Sequence, residues 1–223
     1  MEQEDPVKRL GRLDCCAVSD ALDKLGLQGR VVSGLEQRST TRRIAGRVVT
    51  YRLVAADKAP PAGAGAPRHL GTTAITLAQP GEVIVVEQRT GIDAGCWGGI
   101  LTLGAKVRGV AGVIADGPVR DIDEARAYDF PVYCRSLTAR TARGRVAELE
   151  TNALVDIGGV IVNAGDFVIA DASGVAFVPA ADIARVLDAA EMIAGREAAM
   201  AKALLAGQPI TEVMGANYEH MLR

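Results

Sequence analysis

Short apolar runs recur along the chain, each too brief for a helix. "GRVVTYRLVA", "GEVIVVEQR", "GVAGVIADG", "FPVYCRSL", "GGVIVNAGD" and "DFVIADASGVAFVP" are rich in β-branched residues and punctuated by Gly, Pro, Asn and Asp, so each predicts a strand. Helical patterns are fewer. "CCAVSDALDKLG" predicts a helix closed by Gly26, "GGILTLGAKVRG" a second, and "DIDEARAYDF" a short third. A long last helix is expected from about Ala181 to Leu205, started through "PAAD" and ended by Gly207. At roughly 100° per residue, Ile183, Ala190, Ala194, Ala201 and Leu204 share one stripe of that helix. Glu197 falls inside the stripe, whereas Asp188 and Glu191 point away from its centre. Either that carboxylate is paired or liganded, or the stripe emerges into solvent there. "AADKAPPAGAGAPRH", residues 55–69, reads as a loop by composition. Strands and helices mix without strict alternation and without an internal repeat. The expected fold class is α/β, a layered sandwich with a mixed sheet.

Composition narrows this further. A chain of 223 residues, 49% hydrophobic, can bury a sizeable core in one domain spanning 1–223. The net charge of −2 and the 4% aromatic content give no reason to expect nucleic acid. The longest apolar runs fall far short of the roughly 20 residues a membrane span needs. "MEQEDPVKRLGRLD" lacks the apolar stretch of a signal peptide, so a cytoplasmic protein without a membrane partner is expected. Cys15, Cys16, Cys96 and Cys134 form no C-x-x-C pair and are expected to be structural thiols. A thiol nucleophile would need a nearby base, and only His69 and His220 are available.

Two stretches could carry chemistry. In "AGCWGGILTLGAKVRG", Gly98 and Gly99 precede an apolar helix whose first amides could hold a carboxylate or phosphate. The alternative is a glycine-rich turn packed against a neighbour, and no dinucleotide or Walker fingerprint accompanies it. In "GVIADGPVRDIDEA", residues 112–125, four acids (Asp116, Asp121, Asp123 and Glu124) crowd around Arg120 where a strand ends. Ligands gather beyond such strand ends in open α/β sheets. The plainer reading makes Asp121 the N-cap of the following helix, places Asp123 and Glu124 in its first turn, and leaves Arg120 as a surface partner. If the site holds a metal, two histidines and no thiolate pair argue against zinc, whereas carboxylates and water suit Mg²⁺ or Mn²⁺.

The segment "WGGILTLGAKVRGVAGVIADGPVRDIDEA" resembles the core motif of the RraA-like proteins. Weaker similarity runs from "VSDALDKLG" through "GEVIVVE" and "ASGVAFVP" to "REAAMAKALLAG". That family includes 4-hydroxy-4-methyl-2-oxoglutarate/4-carboxy-4-hydroxy-2-oxoadipate aldolases with oxaloacetate decarboxylase activity. It often bears an obsolete menaquinone-methyltransferase label, and no glycine-rich S-adenosylmethionine site supports that label here. The resemblance implies a sandwich like the swivelling phosphohistidine domain, assembled as a homotrimer or homohexamer with sites between subunits. The C-terminal helix, about 181–207, would then pack on a neighbouring subunit. It also implies a class II lyase using Mg²⁺ or Mn²⁺, with Asp121 as the direct metal ligand. Arg120 would contact the pyruvyl oxygen and stabilise the enolate. The backbone amides of the turn at Gly98, Gly99, Ile100, Leu101 and Thr102 would hold the pyruvyl carboxylate. Glu197, from a neighbour's helix, would reach the metal's waters. One departure stands out: the family's aldolases carry an aspartate at the position Gly99 occupies here.

Retro-aldol cleavage of a 4-hydroxy-2-oxo acid and decarboxylation of oxaloacetate give the same pyruvate enolate, stabilised by cation and arginine. Only cleavage needs a base for the 4-hydroxyl proton, so the missing acid should harm it more. Asp93 is near in sequence but is no established substitute. Three other readings stand beside this one. Lys106 or Lys58 could form a Schiff base; the fold could serve a protein-binding regulator of an RNA-degrading endonuclease; His69 could accept a phosphoryl group. Arg68 and Arg89 are candidates for a substrate's distal carboxylate.

Overall fold

Two helices open the computed structural model, which describes residues 4–60 and 69–215. Each is started by an aspartate whose carboxylate takes an orphan first-turn amide. Asp5 accepts from Val7 ahead of α1 (Pro6–Leu10), and Asp14 from Ala17 ahead of α2 (Cys15–Lys24). Short strands β1 (Val31–Val32) and β2 (Glu36–Gln37) lead to the long β3 (Ile44–Ala55) and a 3-10 turn, Ala56–Lys58. Next come α3 (Thr72–Leu77), β4 (Val83–Glu87), α4 (Gly99–Val107), β5 (Gly112–Val119), α5 (Ile122–Ala127) and β6 (Val132–Leu137). The rest comprises β7 (Val146–Thr151), β8 (Val155–Ile157), β9 (Val160–Val162), β10 (Phe167–Asp171), β11 (Gly174–Val178), α6 (Ile183–Leu205) and α7 (Ile210–Val213).

The strands order as β1-β11-β10-β3-β4-β5-β6-β2, with β7 added beside β3 and a separate β8–β9 hairpin. Strands β3 to β6 run parallel; their other partners are antiparallel. This is the expected mixed sheet. Strand β4 is buried on both faces, which is why it reads as an unbroken apolar run. Its residues alternate: Ile84 and Val86 join the core beneath α3, α4 and α5, whereas Val83 and Val85 join the core on the other face. Helices α1, α2 and α6 close a third core against Ile169, Ala176 and Val178 of β10 and β11. Among the described residues no helix is long and apolar enough to cross a membrane.

The structure revises several sequence expectations. "DFVIADASGVAFVP" is two strands, β10 and β11, paired antiparallel across Ala172 and Ser173. Within 55–69, Ala55 ends β3 and a 3-10 turn follows; residues 61–68, Arg68 among them, lie outside the described residues, as does His220. The last helix starts at Ile183, and Gly207, at φ 90°, follows its C-cap. Its buried face stops at Ile193. Ala201 and Leu204 are exposed, so the apolar stripe emerges into solvent and Glu197 emerges with it.

Candidate functional site

The C-terminal end of β5, an interior strand, meets the N-termini of α4 and α5. Trp97, just before α4, forms a parallel bridge to Val119, and its carbonyl accepts the Arg120 amide at 3.0 Å. Residue 98 is thereby laid directly beside residues 120 and 121. Glycine is needed there: a Cβ on Gly98 would stand 2.9 Å from Oδ2 of Asp121 and 3.1 Å from Cγ of Arg120. Gly95 meets the same arginine stem, where a Cβ would lie 3.0 Å from its Cγ. Buried Thr102 braces the turn. Its hydroxyl donates to the Gly98 carbonyl at 3.0 Å and accepts the indole N–H of buried Trp97 at 2.8 Å.

Asp121 precedes α5 as expected, but its carboxylate does not cap that helix. The residue takes a left-handed conformation, φ 56° and ψ 38°, which Asp tolerates better than most side chains. The carboxylate turns to α4 instead, accepting the Gly99 amide on Oδ2 at 3.0 Å. Nε of Arg120 approaches both oxygens, at 3.3 and 3.2 Å. The terminal nitrogens of Arg120 have no hydrogen-bond partner among the described residues. Both side chains are about one-third exposed, at 37% and 31%. The result is a half-open recess in which a carboxylate, a guanidinium and a helix N-terminus converge.

The amides of the turn divide. Gly99 donates to Asp121 and Thr102 to the Gly98 carbonyl. The first-turn amides of Ile100 and Leu101 lack an intrahelical acceptor and form the positive end of the α4 dipole. Ile100 and Leu101, two of the five residues expected to hold a carboxylate, therefore have helix-terminal donors to offer. The Ile100 side chain is exposed, while Leu101 is anchored in the core.

Of the four acids around Arg120, only Asp121 touches it. Asp116 is buried, bound to Nε of Arg135 and the Gly158 amide, both at 2.6 Å. Asp123 pairs with Arg126 at 2.7 Å. The Glu124 carboxylate lies over Gly99. The sequence reading gave Glu124 no role beyond the helix dipole, although its position one turn after Asp121 puts both on one face of α5. Glu197 is not brought to this recess within one chain, since α6 packs on α1 and α2.

Among the described residues, the other candidates make no hydrogen bond or ion pair to Arg120 or Asp121. Lys106 is exposed and donates to the Tyr128 carbonyl; Lys58 is exposed in the 3-10 turn. His69 contacts the Leu70 carbonyl beside α3. Asp93 pairs with Arg140 at 3.4 Å, and Arg89 with Asp156 and, at 3.7 Å, Asp116. The cysteines are free, and burial pushes the Cys15 and Cys96 thiols well up and Cys134 to about 11. Such thiols are not nucleophiles at neutral pH.

Comparison with known proteins bears on the same residues. The sequence model of the RraA-like family (Aldolase/RraA) matches residues 15–177, which include the whole recess. Protein DlpA of Legionella pneumophila is 28% identical over 173 residues, 78% of this chain; the chain spans only 27% of that protein's length. A Halalkalibacterium halodurans protein named "Putative 4-hydroxy-4-methyl-2-oxoglutarate aldolase" is 27% identical over 188 residues, 84% of this chain and 82% of its own. Among solved structures, Streptomyces coelicolor RraAS2, described as an unusual member of the RNase ES inhibitor RraA protein family, matches with a TM-score of 0.72. It is 25% identical over 86% of this chain and 93% of that one.

Proposed function

The chain belongs to the RraA-like family, and from that premise we propose that it is a carbon–carbon lyase acting on 2-oxo acids through a pyruvate enolate, with Mg²⁺ or Mn²⁺ as cofactor. The observation that carries the reading is the 3.0 Å bond from the Gly99 amide to Asp121, whose oxygens Arg120 also contacts. It joins anion-binding amides, a charge-stabilising arginine and a hard oxygen donor in one recess.

The donor chemistry fits such a cation. Asp121 presents partly exposed carboxylate oxygens, and among the described residues no group of three His, Cys, Asp or Glu is assembled. That suits an ion that keeps most of its water and takes one or two protein carboxylates, as Mg²⁺ does, and not a fully ligated zinc. Asp121 would hold the ion, which when bound supplies Lewis-acid polarisation of the keto acid.

The chain's own groups do the rest. The Ile100 and Leu101 amides bind the substrate's 1-carboxylate at the positive end of the α4 dipole. The free nitrogens of Arg120 hold the 2-oxo oxygen and stabilise negative charge as it develops there. The exposed half of α6 packs on a neighbouring subunit in a trimer or hexamer, bringing Glu197 of the partner subunit to the recess. Retro-aldol cleavage of a 4-hydroxy-2-oxo acid and decarboxylation of oxaloacetate both fit this arrangement.

The likeness to RraAS2 favours a second reading, a protein-binding regulator of an RNA-degrading endonuclease. One screen separates the two. Pyruvate release is followed from 4-hydroxy-2-oxo acids and oxaloacetate with Mg²⁺, with Mn²⁺ and with EDTA. Release that depends on the cation, with no borohydride-trapped adduct, supports the lyase. Release unchanged in EDTA, or no release from any substrate, overturns it.

A further inference from the structure

A Cβ placed on Gly99 would stand 1.8 Å from Oε2 and 2.5 Å from Cδ of Glu124. The Glu124 carboxylate thus fills the volume in which any side chain at position 99 would begin. Gly99 does not have a positive φ, so its backbone imposes no demand for glycine. What it provides is room, and Glu124 occupies that room. The α4 dipole explains why a carboxylate is stable there. It does not explain why this acid is left uncommitted. Asp121 accepts from Gly99 and Arg120, Asp123 is paired with Arg126, Asp93 with Arg140, and Asp116 is buried with Arg135. Glu124 has no hydrogen bond or ion pair to its carboxylate among the described residues, yet it lies against the residue whose amide binds Asp121.

We propose that Glu124 is the proton acceptor for carbon–carbon cleavage in this recess, an assignment that rests on the lyase reading above. Cleavage breaks C3–C4 of the 4-hydroxy-2-oxo acid. The 4-hydroxyl proton passes to Glu124, C4 becomes a carbonyl, and the C3–C4 electron pair becomes the pyruvate enolate. The protonated Glu124 then returns that proton to C3, giving pyruvate and restoring the carboxylate, so no other reactant is needed. Decarboxylation of oxaloacetate takes no hydroxyl proton and depends on Glu124 only for the final protonation, which water can supply.

The test uses the full chain with Mg²⁺ and compares cleavage of 4-hydroxy-4-methyl-2-oxoglutarate with decarboxylation of oxaloacetate. Pyruvate affinity is read separately from the fluorescence of Trp97. Glu124→Gln should lower kcat for cleavage by about 100-fold or more, the usual scale of general acid–base help. Decarboxylation should fall less than about threefold, with pyruvate affinity unchanged. Gly99→Ala, whose methyl displaces the carboxylate without altering its charge, should shift the two reactions in the same unequal way. Gly99→Asp in a Glu124→Ala background, where that volume is vacated, should restore cleavage at least about tenfold over Glu124→Ala alone, because it supplies an acid in the same place. Equal losses in both reactions, or no loss in either, overturn the assignment and leave the lyase reading standing. So does a wild-type chain that decarboxylates but cleaves no hydroxy acid. A wild type that neither binds pyruvate nor releases it overturns both.

Discussion

The Gly99 amide donates to Oδ2 of Asp121 at 3.0 Å, tying the first residue of α4 to the residue that precedes α5. A side chain expected to cap its own helix is instead shared with another. Asp121→Asn separates the two services this carboxylate performs. Asparagine also tolerates the left-handed backbone and keeps one oxygen for the Gly99 amide, so the fold should persist. The negative charge is lost. Pyruvate release should drop by roughly 100-fold or more, beyond the 10–100-fold typical of groups that only orient a ligand. Calorimetric titration with Mn²⁺ should show weakened binding, while the melting temperature stays within a few degrees.

Gly98 makes a purely steric prediction. Its φ of −161° is ordinary extended backbone, open to any residue. An added methyl would nevertheless press on Asp121 at 2.9 Å and on the Arg120 stem at 3.1 Å. Gly98→Ala should therefore reduce kcat/KM by on the order of 100-fold, the effect of an ångström-scale misplacement. Gly104→Ala on the same helix is the control. Its nearest neighbour is Cδ1 of Ile75 at 3.9 Å, so it should raise stability by about 0.5–1 kcal/mol and leave turnover alone.

Much of this arrangement was legible in the sequence, for physical reasons. The β4 and β5 runs announced themselves because a parallel strand buried on both faces has no polar alternation to dilute it. Strand β7, "VAELET", escaped because it is mostly half buried and polar at three of its six positions. Helix α3, "TTAITL", is short and β-branched, and its helical state comes from packing against α4 and β3. Asp116 and Asp121 look alike in sequence but part company in space. Asp116 shares a face of β5 with buried Ile114, and its partner Gly158 lies 42 residues away, beyond any local pattern. Glu124 was within reach of helical spacing, but the space it enters exists only because the chain folds residue 99 against it.

The burial of Asp116 separates structural from chemical acids. Asp116→Ala leaves Arg135 without its carboxylate and the Gly158 amide without an acceptor. Arg135 is about one-third exposed and can be solvated, so the cost lies chiefly in the Gly158 amide left without an acceptor, about 1–3 kcal/mol. Urea unfolding should show a loss of that order, while KM for the 2-oxo acid stays unchanged in the surviving folded protein. A large rise in KM with unaltered stability would mean that Asp116 belongs to the recess after all.

Thr102 links the core to the recess through one hydroxyl, which accepts from the Trp97 indole at 2.8 Å and donates to the Gly98 carbonyl at 3.0 Å. Thr102→Val keeps the shape and removes both bonds. The buried indole N–H is then unsatisfied, at about 1–3 kcal/mol, which corresponds to a fall in melting temperature of roughly 2–12 °C for a chain of this size. Trp97 is the sole tryptophan, so its emission reports the change directly. Function should suffer beyond what stability explains, because the Gly98 carbonyl also accepts the Thr102 amide and fixes the turn that presents Ile100 and Leu101. KM for the keto acid should rise several-fold at temperatures where the variant is fully folded. Thr102→Ser, which restores the hydroxyl but not the methyl, should recover KM before it recovers the full melting temperature. Were the serine variant to recover stability and leave KM high, the hydroxyl would be serving the core alone.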